Sequence, residues 1–167
     1  MTAIAAILGR DSTAAQPLLA ALVAQLQAAG TKVVGVIDEG HGIPDRTCRA
    51  GTLRDIVSGT AFPIFFETAP SDTSCLIDVT GVEMAAAALL PQISASDLVV
   101  LSKFGKVEAT RRGLSPVFAA AIAAGKPVLT AVSQKHREAW EAFAPGATTL
   151  AADEAALRAW WHSVTRG

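Results

Sequence analysis

This sequence predicts a three-layer α/β fold: a mostly parallel sheet, helices on both faces, and an antiparallel hairpin on one edge. Three observations carry that reading. Short apolar runs alternate with helix-period segments along the chain, the pattern of a parallel sheet whose crossovers are helices. One run, Asp97-Leu98-Val99-Val100-Leu101, is continuously apolar after its first residue, as a central strand buried on both faces must be. Of the 167 residues, 51% are hydrophobic and 17% charged, enough apolar surface for a core and too little charge for a disordered chain. With no repeat, linker or low-complexity tail, residues 1–167 read as one domain.

The elements follow in order. Ala3–Leu8 is the first strand. A helix comes next, with Leu18, Leu19, Leu22, Val23 and Leu26 on one face, Pro17 in its first turn and Gly30 at its end. Val33–Ile37 is the second strand. The stretch from Asp38 to Glu67 is the least regular. It holds a Gly/His/Pro loop from Glu39 to Asp45, a strand over Thr47–Ile56, a turn at Ser58-Gly59 and a strand over Phe62–Glu67, together the edge hairpin. Cys75–Val79 is read as a strand, and Val82–Leu90 as a helix stopped near Pro91. Asp97–Leu101 is the central strand. Helix Pro116–Ala124, strand Pro127–Val132, helix Lys135–Phe143 and helix Asp153–Val164 complete the chain.

Composition excludes several function classes. The 14 basic and 15 acidic residues give a net charge of −1, which draws the chain neither to nucleic acid nor to an anionic membrane. It contains no tyrosine, so a stacking platform for single-stranded nucleic acid is not expected. No uncharged apolar stretch reaches the roughly 18 residues needed to span a bilayer. The N-terminal run lacks a basic lead and stops at Gly9-Arg10-Asp11, which reads as a buried strand rather than a secretory signal and suggests a cytoplasmic protein.

The first strand, a glycine at its end and a helix reproduce the layout of a P-loop, which requires G-x-x-x-x-G-K-[ST]. Its glycines let backbone N–H groups wrap the phosphates, its lysine neutralises them, and its hydroxyl binds magnesium. Counted from Gly9, the segment reads Gly9-Arg10-Asp11-Ser12-Thr13-Ala14-Ala15-Gln16. Alanine replaces the second glycine, alanine the lysine, and glutamine the hydroxyl. Asp11 adds a carboxylate where phosphates would lie. Two readings stay open: an ordinary loop whose helix is capped by Ser12, Thr13 or Gln16, or a weaker anion site at the helix N-terminus using Gly9, Arg10, Ser12 and Thr13.

A second candidate follows the central strand, in Ser102-Lys103-Phe104-Gly105-Lys106-Val107-Glu108-Ala109-Thr110-Arg111-Arg112-Gly113-Leu114. Ligands of open α/β sheets bind beyond the carboxyl ends of the strands. Lys103, Lys106 and Arg112 beside Gly105 suit an oxyanion, with Glu108 orienting the basic groups. The competing reading is that these are solubility charges.

The run from Asp97 to Ala109, Arg112-Gly113-Leu114, the segment Ala124 to Val132 and the following Trp140 resemble a bacterial domain family of unknown function, often labelled as a molybdenum-transport ATP-binding protein. Cys48-Arg49-Ala50-Gly51 and Cys75-Leu76-Ile77-Asp78 resemble its pattern too, so the likeness covers most of the chain. The resemblance implies a P-loop NTPase-like fold related to small nucleoside triphosphatases, and a link to molybdate handling. Those triphosphatases carry an acidic residue at the equivalent strand end, before an Ile-Gly-x-Met-Glu-like turn. Here Ser102 and Lys103 stand at that end, and only Gly105 and Glu108 match.

Cys48, Cys75 and His41 have no compact zinc-site spacing, and buried free thiols are the commoner fate of lone cysteines. Asp78 reads as a helix cap, His136 as a surface residue, and Trp140, Trp160 and Trp161 as core or subunit-contact residues. The preferred expectation is a protein that binds a small anionic ligand in a remodelled phosphate crevice and is not a conventional ATPase. Molybdate, tungstate or a phosphorylated small molecule is the candidate ligand, with no nucleic acid and no membrane insertion. The alternatives are a nucleoside triphosphatase whose lysine is Lys103 or Lys106, and a regulatory or scaffold homo-oligomer.

Overall fold

The computed structural model describes residues 2–40, 51–64 and 77–167. Along them lie β1 (Ile4–Gly9), α1 (Gln16–Ala28), β2 (Val33–Glu39), β3 (Thr52–Asp55), β4 (Ala61–Pro63), α2 (Val79–Leu89), β5 (Leu98–Val100), α3 (Lys106–Ala109), α4 (Ser115–Ala123), β6 (Val128–Ser133), α5 (Arg137–Phe143), β7 (Thr148–Leu150) and α6 (Glu154–Arg166). Short 3-10 segments at Leu90–Ala95 and Gln134–His136 lead into β5 and α5. The sheet order is β4-β3-β2-β5-β6-β1-β7. Its central part, β2 to β7, is parallel, and β3 and β4 extend one edge antiparallel. This is the expected P-loop-like α/β fold with its edge hairpin.

The two-residue alternation of strands divides the core. In β6, Val128 and Val132 face one apolar cluster while Leu129 and Ala131 face the other. On the first side lie α2, α4 and α5, through Val82, Leu89, Val117, Phe118 and Trp140. On the second lie α1 and α6, through Leu19, Leu22, Leu26, Leu157 and Trp160. Each fully buried leucine contributes about 1.5–3 kcal/mol over its exposed state, so the helical stripes seen in the sequence are what attach these layers. Trp140 and Trp160 are core residues. Trp160, buried against the sheet, offers no surface for the subunit contact entertained for it.

Three local expectations change. Of the strand read over Cys75–Val79, the described residues keep only a single bridge at Ile77, with the Asp78 N–H donating to the Ile64 carbonyl at 2.8 Å; Asp78 then caps α2 by accepting the Thr80 N–H, and Val79 begins the helix. The 103–114 stretch, read as a loop, contains the single turn α3. The short strand β7 was not anticipated, because Thr148-Thr149-Leu150 has one buried residue and too few positions to show a period. The portions of the predicted hairpin at 47–50 and 65–67 lie outside the described residues. No helix among the described residues is long and apolar enough to cross a membrane.

Gly35 marks the place in β2 where pairing to β5 ends and antiparallel pairing to β3 begins. Its φ is +136°, and a Cβ there would overlap the Val100 carbonyl of β5. Gly35→Ala should therefore cost about 3 kcal/mol or more, since strain and a backbone collision add. Gly59→Ala, at φ +74° in open space, should cost only about 1–2 kcal/mol. Urea unfolding of both variants measures this, and equal losses would contradict the close approach.

Candidate functional site

The carboxyl ends of β1, β2, β5 and β6 open onto a cleft of about 1200 Å³. The chain leaves β1 towards α1 on one face and β6 towards α5 on the other, which is how an open sheet creates a crevice at its strand ends. The described walls include Arg10, Ser12, Thr13, Lys103, Gly105, Lys106 and Arg112. The structure thus brings most of the two predicted candidate segments to one place. Gly9, paired opposite Ser133 at the end of β1, and Glu108 do not line it.

The loop after β1 is closed by its own carboxylate. Asp11 Oδ1 accepts the N–H groups of Thr13 at 2.9 Å and Ala14 at 3.3 Å. The N-cap of α1 is Ala15, with no side-chain cap. Capping by Ser12, Thr13 or Gln16 is therefore corrected: Asp11 ties the turn ahead of the helix instead. The Thr13 amide, expected to face an anion, is already occupied from within the chain.

Gln16 has a different role from any assigned to it above. Its buried carboxamide donates through Nε2 to the carbonyls of Ser12 (2.9 Å) and Ser102 (2.8 Å), and its Oε1 accepts the Asp38 N–H at 3.0 Å. One side chain joins the loop after β1, the end of β2 and the exit of β5. It stands at the position where a P-loop has its magnesium-binding hydroxyl, and it has spent all three of those hydrogen bonds on protein.

The chain leaving β5 is anchored twice. Phe104 sits in an aromatic cluster, 5.2 Å from Trp140, 5.1 Å from Phe143 and 5.8 Å from Phe118 between ring centroids. Glu108, buried in α3, accepts the Gly105 N–H at 3.0 Å and the Leu114 N–H at 3.1 Å. The expectation that Glu108 orients the basic side chains is corrected: it holds the backbone of the segment that carries them. Gly113, at φ +60°, is required there because a Cβ would strike the Glu108 carboxylate. Burial pushes the Glu108 carboxyl above its usual range, against the stabilising N–H groups of Leu114 and Gly105 and the charge of Lys103.

Charge in the cleft is unevenly compensated. Arg112 pairs with Glu83 at 3.1 Å on the surface, and Glu39 with Arg54 at 2.8 Å. Arg10, Lys103, Lys106 and Lys135 make no ion pair among the described residues. His136, read from sequence as a surface residue, is half-buried in the cleft wall, with Nδ1 3.1 Å from Ser133 Oγ. Burial, then Lys135 and Lys103, lower its pKa, so near neutral pH the imidazole is uncharged. Ser133, Lys135 and His136 were missed as site residues. Their signal was position alone, directly after a strand whose carboxyl end faces the crevice.

Among the described residues no cluster of three or more His, Cys, Asp or Glu side chains is placed to hold a metal. Cys48, Cys75 and His41 lie outside the described residues.

Residues 4–160 match the family model described as "Protein of unknown function (DUF2478)". The chain is also 36% identical over 166 residues to the molybdenum import ATP-binding protein ModC 2 of Bradyrhizobium diazoefficiens. That likeness covers 97% of this chain but 18% of the relative, so the chain spans less than a fifth of it. No solved structure matches.

Two measurements test the geometry. Gln16→Ala leaves the Asp38 N–H and the Ser102 carbonyl without their buried partner, and should lower stability by about 2–4 kcal/mol in urea unfolding. A loss under about 0.5 kcal/mol would mean that the carboxamide joins nothing of consequence. For Glu108, the folded state retains a proton that the unfolded chain has released. Its contribution is complete below the unfolded pKa and is lost as pH rises through the folded one. The stability of the native chain relative to Glu108→Gln should therefore fall as pH rises above the ordinary carboxyl range of about 4, and a rising difference would reverse that sign.

Proposed function

This chain belongs to the DUF2478 family, proteins of unknown function, and we propose that it binds a small oxyanion in the strand-end cleft and does not work as a conventional ATPase. The observation that carries the reading is the set of four basic side chains, Arg10, Lys103, Lys106 and Lys135, which line one cleft and have no ion-pair partner among the described residues. Basic groups gathered in one crevice raise the local concentration of anions. At about 4 Å and an effective dielectric of about 20, each cation–anion pair is worth about 4 kcal/mol before desolvation.

The same arithmetic weighs against a nucleoside triphosphate held in the usual way. The Walker lysine is absent at Ala15. The Asp11 carboxylate lies in the loop that would wrap the phosphates and takes up its amides. The magnesium-side hydroxyl is replaced by Gln16, whose amide is engaged with Ser12, Ser102 and Asp38. Lost attraction and added repulsion of several kcal/mol each are equivalent to orders of magnitude in affinity. A small tetrahedral anion needs none of these parts, only the lysines on the β5 and β6 side of the cleft. The relative's name, a molybdenum import protein, makes molybdate and tungstate the first oxyanions to try.

Calorimetry with molybdate, tungstate, phosphate and sulfate tests the reading, alongside a turnover assay with Mg-ATP. At least one oxyanion should bind with a Kd below about 1 mM, weakening tenfold or more in Lys103→Ala and at high salt. Failure of all four would sink the proposal. Mg-ATP hydrolysis that disappears in Lys103→Ala or Lys106→Ala would replace it with a triphosphatase whose lysine has moved.

A further inference from the structure

The cleft is far larger than a bare oxyanion requires. At about 1200 Å³ it is above the roughly 300–1000 Å³ typical of sites that enclose drug-sized ligands, whereas a tetrahedral anion fills only a corner. The walls are also divided in character. Sheet order puts β6 and β1 on one side of β5 and β2 on the other. On the β5–β6 side stand Lys103, Lys106 and Lys135 with the uncharged His136. On the β2 side the lining includes Pro17 and Ala20 of α1, Ile37 of β2, and Ile77 and Val79 at the start of α2, beside Asp38 and Glu39 of β2.

Those apolar residues are incompletely covered. Ile37, Ile77 and Val79 are half-buried, and Pro17 and Ala20 are exposed. Concave apolar surface of this kind gains free energy only when an apolar body covers it. Nothing on that side invites a second anionic group: no described lysine of the cleft belongs to β2 or α1, and the Arg54 guanidinium is already paired with Glu39. Charge is therefore wanted at one end of the ligand and not at the other.

Building on the oxyanion reading, we propose that the ligand is an organic phosphomonoester or a similar singly headed oxyanion ester, its anionic head on Lys103, Lys106 and Lys135 and its uncharged apolar body against Pro17, Ala20, Ile37 and Val79. An inorganic oxyanion occupies the head subsite alone and binds more weakly. A triphosphate is disfavoured because its charge would extend beyond the three lysines toward the Asp11 carboxylate.

The test is calorimetry on the full chain with inorganic phosphate, 1-naphthyl phosphate and 1-naphthol. Naphthyl phosphate should bind at least tenfold more tightly than phosphate. Ala20→Asp, at an exposed helical position that tolerates the change, should drive the ratio of the two affinities towards one. Lys103→Ala should weaken naphthyl phosphate at least tenfold. Equal affinities for phosphate and naphthyl phosphate would overturn the ester assignment while leaving the oxyanion reading standing. A ratio untouched by Ala20→Asp, or naphthol binding as well as its phosphate, would overturn it too, since adsorption to apolar surface would then explain the gain. Binding of none of the three would overturn the ester assignment, and the oxyanion reading would then be decided by molybdate, tungstate and sulfate.

Discussion

The carboxamide of Gln16 is the constraint on which the rest of the site depends. Strand ends of a parallel sheet diverge as the sheet twists, and the backbone groups just past the last ladder bond have no sheet partner. Here one side chain meets two carbonyls and an N–H from three separate segments, the loop after β1, the end of β2 and the exit of β5. The bond to Ser102 is buried and the other two are partly so, and each resists loss in proportion to the desolvation penalty of the group that would be left unpaired. The floor of the cleft is therefore set by protein–protein hydrogen bonds, and the loop above it is closed by Asp11 in the same manner. An active phosphate loop leaves such donors open for its ligand. This one has satisfied the donors of Thr13 and Ala14 and the groups around Gln16 internally.

With the floor fixed in this way, the charge that remains available lies on the walls. Lys103 is held by the backbone that Phe104 and Glu108 anchor on either side of Gly105, and Lys135 by its place directly after β6. The buried Glu108 carboxylate is costly on its own, but it receives two backbone N–H groups that would otherwise be unpaired in the turn from α3 to α4. The result is a fixed segment bearing flexible lysines, which suits ligands recognised by charge more than by a rigid fork of hydrogen bonds.

Much of the fold was legible in the sequence, and the reasons are specific. The Leu18–Leu26 stripe, the Asp97–Leu101 run and Pro127–Val132 each carry one dominant periodicity over enough residues to identify a helix or a buried strand. Thr148–Leu150 does not, and neither does the single turn α3, whose stability rests on a buried carboxylate meeting two distant N–H groups rather than on propensity. The candidate site was half legible. Rules about strand ends and basic spacing pointed to Arg10, Lys103, Lys106 and Arg112, all of which line the cleft. The same rules mislabelled Glu108, because sequence gives a carboxylate's neighbours along the chain but not its burial. They passed over Gln16 as a tie and Ser133, Lys135 and His136 as wall residues, since only the parallel order β5-β6-β1 brings those segments together.

The name carried by the relative from Bradyrhizobium diazoefficiens joins two properties, molybdenum import and ATP binding. Both belong to a protein of which this chain matches 18%, so neither is automatically a property of the matched part. Physical chemistry separates the two. Binding ATP through a phosphate loop requires open amides, a lysine and a hydroxyl at fixed places, and this chain has Asp11-closed amides, Ala15 and a fully engaged Gln16 at those places. Holding an oxyanion, free or on an organic carrier, requires positive charge at the rim of a crevice, and Arg10, Lys103, Lys106 and Lys135 supply it with no ion-pair partner among the described residues. The proposed reading therefore keeps the oxyanion from that name and not the nucleotide.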